Sequence, residues 1–555
     1  MTTSGLSPDV ELLTRLANEF FQQTGGGASS TQGPAPTLYG GWPDAPAPAS
    51  PPTHGNDVPF PQFGLSGGFE PLHDVEPLSA DLPGEAELRA LYQAFADEFS
   101  APEPGVPQRP SGLVPPASPS FYFLEHVEVV DPQPAQQGLA GSFDVGQIRQ
   151  DFPVLNERVN GRPLIWLDNA ATTQKPRCVI DRLKYFYEHE NSNIHRAAHE
   201  LAARATDAYE GAREKVRGFL NARSTNEIVF VRGATEAINL VSQAWGRQNI
   251  GKDDEIIVSW LEHHANIVPW QQLAAEKGAR LRVIPVDDSG QLQFAEYVKL
   301  LGPKTKLVSF TQVSNALGTV TPAKQVVEAA HAVGAKVLVD GAQAVSHLAV
   351  DVQALNADWY VFSGHKVFAP TGIGVLYGKE ALLNEMQPWQ GGGNMIQDVT
   401  FERTVYHPAP ARFEAGTGNI ADAVGLGAAI DYVLSIGRDR IAAYEHHLLS
   451  YATRHLAEIP GVRILGNPHG ATSHDKAGVL SFVLAGHRTE DVGAALNREG
   501  IAVRSGHHCA QPILRRFGVE SSVRPSFAFY NTCADIDALI TVLVRLAATK
   551  KGEIT

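Results

Sequence analysis

The chain has 555 residues, 45 basic and 60 acidic, for a formal net charge of −15. It contains no basic block and no run of 18 apolar residues, which argues against nucleic acid or an anionic membrane as a charge-driven partner and against a transmembrane helix. Three cysteines (Cys178, Cys509, Cys533) cannot build a disulfide framework, and Met1 to Asp9 lacks a positive region followed by an apolar core. The expectation is a cytoplasmic protein with reduced thiols.

The charge is unevenly spread. Residues 1–140 hold 17 acidic residues, three basic ones (Arg15, Arg89, Arg109) and no lysine, a net of −14, and the remaining 415 residues sum to −1. Pro and Gly fill 37 of those first 140 positions, a composition expected of disordered sequence. Three islands interrupt it: 10–21 (VELLTRLANEFF), 85–100 and 120–130 (SFYFLEHVEVV). The first two carry apolar residues at helical spacing, and LTRLANEF (13–20) aligns with YQAFADEF (92–99). They read either as local helices that dock back on the rest of the chain or as repeated linear motifs for a groove on another protein. Repetition on a flexible acidic tether favours the second, since tandem weak sites gain from effective concentration.

From about Phe143 apolar runs alternate with helical stretches: EIVFV (227–231), EIIVSW (255–260), LRVIPV (281–286), KLVSFT (306–311), KVLVD (336–340) and DWYVFS (358–363). Strands buried on both faces and separated by crossover helices predict an α/β domain with a mainly parallel sheet over 141–424. A smaller α+β domain is expected over 425–555, after the helix AVGLGAAIDYVLSI (423–436).

Several motifs stand at strand ends, where α/β sheets bind ligands. DGAQA (340–344) puts Asp340 there, and SGHK (363–366) does the same for Lys366. A lysine able to form a Schiff base and an aspartate able to keep a pyridine nitrogen protonated are the pair that pyridoxal phosphate requires. Taken singly each is weak, because a lysine after a strand is usually a solvated one. RGATEAINL (232–240) opens a helix whose first N–H groups suit a phosphate, or are simply capped by Thr235. In EHHANIVPW (262–270), His263 can stack on an aromatic cofactor. RSGHHCAQP (504–512) sets Cys509 beside two histidines, as a reactive thiolate or a buried inert thiol; a zinc site there lacks a fourth local ligand, so no metal is expected.

These motifs occur in order with DFPVLNERVNGRPLIWLDNAATTQKP (151–176), NIHRAAH (193–199), VSNALGT (313–319), RFEAGTGN (412–419) and FAFYNT (527–532). Together they resemble the group II (SufS/CsdA-type) cysteine desulfurases of the class V aminotransferase family, over roughly three-quarters of the chain. The resemblance implies the aspartate-aminotransferase fold, fold type I, a homodimer, and conversion of L-cysteine to L-alanine with a persulfide on Cys509. Selenocysteine is a second substrate it allows, and selenocysteine lyase, kynureninase and transaminase are the rivals within the fold. It implies Lys366 as the Schiff-base lysine, Asp340 on the pyridine nitrogen, Gln343 on the phenolic oxygen and His263 on the ring. Ala234, Thr235, Ser363 and His365 would hold the phosphate, joined across the dimer by Thr417. Asn315 and Arg524 would bind the substrate carboxylate, with His195, Arg196 and Arg504 near the substrate. Four positions depart from the family's usual residues: Ala234, Ser505, Gly418 and Pro525. None removes a group the chemistry needs.

The 140 additional residues resemble the extensions of desulfurases packaged inside family 2 encapsulin shells for sulfur storage. The alternative is a free desulfurase that supplies iron-sulfur cluster assembly, with the arm serving another partner. In either case the short GHHC loop implies that a SufE-like protein or a small thiol must come to the persulfide.

Overall fold

The computed structural model describes residues 143–195, 199–467 and 475–548. Residues 1–140 with their three islands, and Arg196, lie outside the described residues.

Seven strands form the main sheet: β1 (Ile228–Val231), β2 (Glu255–Ser259), β3 (Arg280–Ile284), β4 (Thr305–Thr311), β5 (Lys336–Asp340), β6 (Trp359–Ser363) and β7 (Gly374–Gly378). Their spatial order is β1-β7-β6-β5-β4-β2-β3. Pairings from β3 through β6 are parallel, while β7 runs antiparallel to both β6 and β1. The mainly parallel α/β expectation is met, in the strand arrangement of fold type I. The six apolar runs became strands because both faces of the sheet are covered. Alternate residues divide between two cores: Ile257, Val308, Val339 and Phe362 face one side, and Ile256, Leu307, Leu338 and Val361 the other. Only β3, at the edge, is largely solvated, and its Arg280 and Arg282 guard that edge.

Helices α1 (Arg177–His189) and α2 (Glu200–Leu220) cover the first face through Phe186 and Val216. Helix α3 (Ala234–Val241) covers the other through Ala237 and Ile238. Helix α4 (Ile420–Ile436) packs on α1 and α2, so position 424/425 falls inside one continuous helix. Among the described residues no single helix is long and apolar enough to cross a membrane.

The C-terminal part is an antiparallel sheet of β8 (Val462–Ile464), β9 (Phe482–Leu484), β10 (Arg504–Gly506) and β11 (Ser522–Arg524), in the order β8-β9-β11-β10. Helices α5 (Arg438–Ala457), α6 (Thr489–Arg498) and α7 (Cys533–Ala548) close its own core around Leu448, Phe482, Leu496 and Leu539. An early strand, Ile165–Trp166, pairs in parallel with Ile501–Ala502. That pairing carries the LDNAATT segment (167–173) to the junction of the two sheets.

Candidate active site

A cavity of about 420 Å³ opens where the carboxyl ends of β4, β5 and β6 meet the loop after β10. Asp340 ends β5 and is 4% exposed; burial raises its pKa, opposed by the amide of Ala342 and by Lys366. The chain turns sharply at Gly341, where a Cβ would sit 2.1 Å from the Tyr360 ring, so glycine is required for Asp340 to keep its place. Lys366 follows β6 on a single turn, Gly364–Lys366. Burial brings its ammonium down to about 8, with Asp340 pulling the other way. The turn is braced from a distance. His365 O accepts hydrogen bonds from Thr173 N (3.0 Å), Thr172 Oγ1 (3.1 Å) and Lys175 Nζ (3.1 Å).

At the opposite wall α3 begins. Its Ala234 N–H donates to Ser363 Oγ at 2.9 Å, and Thr235 and His365 line the same corner. Backbone N–H groups at the start of a helix favour an anion. Ala234 lacks a hydroxyl but keeps its N–H, so the departure removes no backbone donor. His263 accepts the Ala265 N–H on Nδ1 at 3.0 Å. Burial, then Lys366, lowers its pKa to about 3, so the ring is neutral and its remaining proton is on Nε2. Gln343 Nε2 is anchored to Ala170 O at 2.6 Å. An aldehyde-reactive lysine with a lowered pKa, a buried carboxylate one strand away, a neutral imidazole and a helix start together fit pyridoxal phosphate. Among the described residues no group of three or more His, Cys, Asp or Glu could hold a metal ion.

Cys509 is exposed on the rim. His508 and Cys509 both have positive φ, 52° and 54°, a costly backbone for side-chain-bearing residues. Three hydrogen bonds hold it: His264 N to Cys509 O (2.8 Å), Asn315 Nδ2 to His508 O (2.7 Å) and Cys509 N to His507 Nδ1 (3.1 Å). The His508 ring is pinned to Ser522 Oγ at 2.8 Å, and burial, then Arg524 and Arg504, lowers its pKa to about 2. Arg524 and Arg504 line the cavity beside the loop.

Of the described residues singled out from sequence, His195 and Thr417 do not line this cavity. Thr417 lines a second one of about 660 Å³, with Arg232, Glu236 and Trp389. His195 belongs to a charged network: its Nε2 bonds Glu210 at 2.8 Å, Arg213 Nε donates to Glu210 at 2.9 Å, and Arg213 forks onto Glu414 at 2.7 and 3.0 Å; Glu414 lines the same second cavity as Thr417.

Two carboxylates escaped the sequence reading. Glu262 is fully buried beneath His263. It accepts from Asn266 Nδ2 (2.6 Å), Thr311 N (3.1 Å) and Ser259 Oγ, and burial raises its pKa to about 8. Asp168 touches both Arg504 and Arg524. The only signal available for Glu262 was its place beside a motif histidine; for Asp168 it was the strand before LDNAATT.

The class-V aminotransferase model matches residues 165–539. The chain belongs to the class-V aminotransferase family. Pyridoxal phosphate is the cofactor of these enzymes, and the relatives are named cysteine desulfurases. One, from Synechococcus elongatus, is 70% identical over 407 residues, 73% of this chain and 64% of the relative. This chain thus spans just under two-thirds of that relative's length. Another, from Dickeya dadantii, is 51% identical over 405 residues, covering 73% of this chain and 97% of the relative. The crystal structure of the cysteine desulfurase CsdA from Escherichia coli aligns with a TM-score of 0.67 at 39% identity, over 73% of this chain and 98% of that one.

Proposed function

We propose that this chain converts L-cysteine, and L-selenocysteine by the same steps, to L-alanine, and takes the sulfur onto Cys509. The observation that carries the reading is a cysteine on an exposed loop over the cavity that also holds Lys366 and Asp340. Asp340 would hold the pyridine nitrogen of pyridoxal phosphate, Gln343 its phenolic oxygen, and Ala234 N, Thr235, Ser363 and His365 its phosphate. Held there, it supplies an electron sink next to the substrate's α-carbon. Arg524 receives the substrate carboxylate and Asn315 assists. Lys366, with its pKa lowered toward neutrality, moves the α-proton. Neutral His263, which holds a proton on Nε2, would cover the ring. The Cys509 thiolate forms an S–S bond with the substrate sulfur as the Cβ–S bond breaks. The electron pair of the broken bond stays on carbon, where protonation completes alanine.

His195 and Thr417 lie outside the cavity, which supports a homodimer in which each copy lends them to the other's site. The acidic extension, with its repeated islands, is proposed to load the enzyme into an encapsulin shell in the cytoplasm, where a SufE-like protein or small thiol collects the sulfur. Turnover of cysteine and selenocysteine by wild type and Cys509→Ala tests the chemistry; full cysteine activity in the alanine variant would sink the persulfide step. Fusing residues 1–140 to a fluorescent protein and co-expressing the shell protein tests the loading, and failure to co-purify would contradict it.

A further inference from the structure

Arg504 and Arg524 stand opposite each other in the ladder between β10 and β11. Two guanidinium groups therefore share one register, where like charges repel. One carboxylate bridges them. Asp168 Oδ2 accepts from Arg504 Nε at 3.1 Å, and its Oδ1 accepts from Arg524 Nη2 at a longer 3.3 Å. Asp168 is 8% exposed, and its backbone is held by a bridge to Ser526 and by the N–H groups of Ala171 and Thr172 on its carbonyl. The carboxylate is thus a fixed point, and the arginines are set against it.

The two arginines differ. The Arg504 side chain is half exposed, and that of Arg524 is 3% exposed. Arg524 Nη1 is committed to Asn315 O at 2.8 Å, while its buried Nε has no hydrogen-bond partner. Nε and Nη2 form one edge of the guanidinium, the fork that a carboxylate takes bidentately. That edge is half open and half held by a long bond to Asp168.

We propose that Asp168 is a positioning residue that sets affinity for the substrate carboxylate. It keeps the Nε/Nη2 edge of Arg524 oriented until the substrate takes that edge, and it then remains on Arg504. The inference rests on the reading of Arg524 as the carboxylate receptor. It gives Asp168 two opposed effects: its oxygen orients Arg524, and its charge repels the arriving carboxylate. Asparagine retains an oxygen and cancels the charge, whereas alanine removes both.

The test uses holoenzyme of wild type, Asp168→Asn and Asp168→Ala. Calorimetric titration with 3-mercaptopropionate, which has the carboxylate and thiol but no amine, reads binding apart from turnover. Steady-state kinetics with L-cysteine separate KM from kcat. Asp168→Asn is expected to tighten 3-mercaptopropionate and lower KM by about threefold to tenfold, with kcat changed by no more than about twofold. Asp168→Ala is expected to weaken both by about tenfold. An unchanged or weakened affinity in Asp168→Asn, or equal tightening in both variants, overturns the proposal. Wild type binding 3-mercaptopropionate no better than 1-propanethiol, which lacks both the carboxylate and the amine, would instead contradict Arg524 as the receptor.

Discussion

The floor and the rim of the cavity are built on opposite principles. The floor is made of strand ends buried on both faces, where Asp340, Lys366 and Glu262 sit with pKa values moved by burial. The rim is an exposed loop in which two successive residues adopt positive φ and the cysteine is held by its backbone. The floor determines protonation and electron flow, which require a dry, rigid environment. In the proposed reaction the rim meets a substrate and then passes sulfur onward, which requires exposure. The difference implies that damage to the floor abolishes all chemistry, while damage to the rim abolishes only sulfur transfer.

The largest effect is therefore expected at the floor. Lys366→Ala should lower kcat for L-cysteine by about 10³-fold or more. Cys509→Ala should lower alanine formation by about 10²-fold while leaving the cofactor's visible absorbance intact. If both variants lost the absorbance, the separation of floor from rim would fail. The outlying network is expected to give a smaller effect. Glu414→Gln removes the charge from one of the two carboxylates on buried Arg213, with Glu210 remaining, and should cost about 2 kcal/mol of stability, measured by denaturant unfolding. The last prediction concerns Glu262 and is a change of slope with pH, not a loss of activity. Its folded pKa of about 8 exceeds the ordinary carboxylate value near 4.5. The folded state thus binds more protons between those limits. Its contribution is fully present below about pH 4.5 and is lost as pH rises through about 8. Glu262→Gln should flatten the fall in unfolding free energy across that window by about 1 kcal/mol per pH unit. An unchanged slope would mean that Glu262 is not the titrating group.

The floor was far more legible in the sequence than the rest. Its strands are short apolar runs because a covered parallel sheet buries both faces, and its functional residues follow those runs directly. Strand β7 was not among the apolar runs read as strands, because glycines bound its three apolar residues, Val375 to Tyr377. Asp168 and Glu262 were illegible for a different reason. Asp168 finds its arginines 336 and 356 positions away, and Glu262 reaches Thr311 across the sheet; a single acidic residue carries no trace of such a partner. His195 and Thr417 were legible only by resemblance, and neither lines the cavity that holds Lys366. The first 140 residues were read from composition, repetition and resemblance.

The most direct test of the account is peptide mass spectrometry of the holoenzyme after a single exposure to L-cysteine, without an acceptor and with free thiols blocked afterwards. The account predicts one additional sulfur atom on the peptide carrying Cys509 and none on those carrying Cys178 or Cys533, together with an equal amount of alanine. Alanine formed with no sulfur retained on Cys509, or sulfur retained on another cysteine, would contradict it.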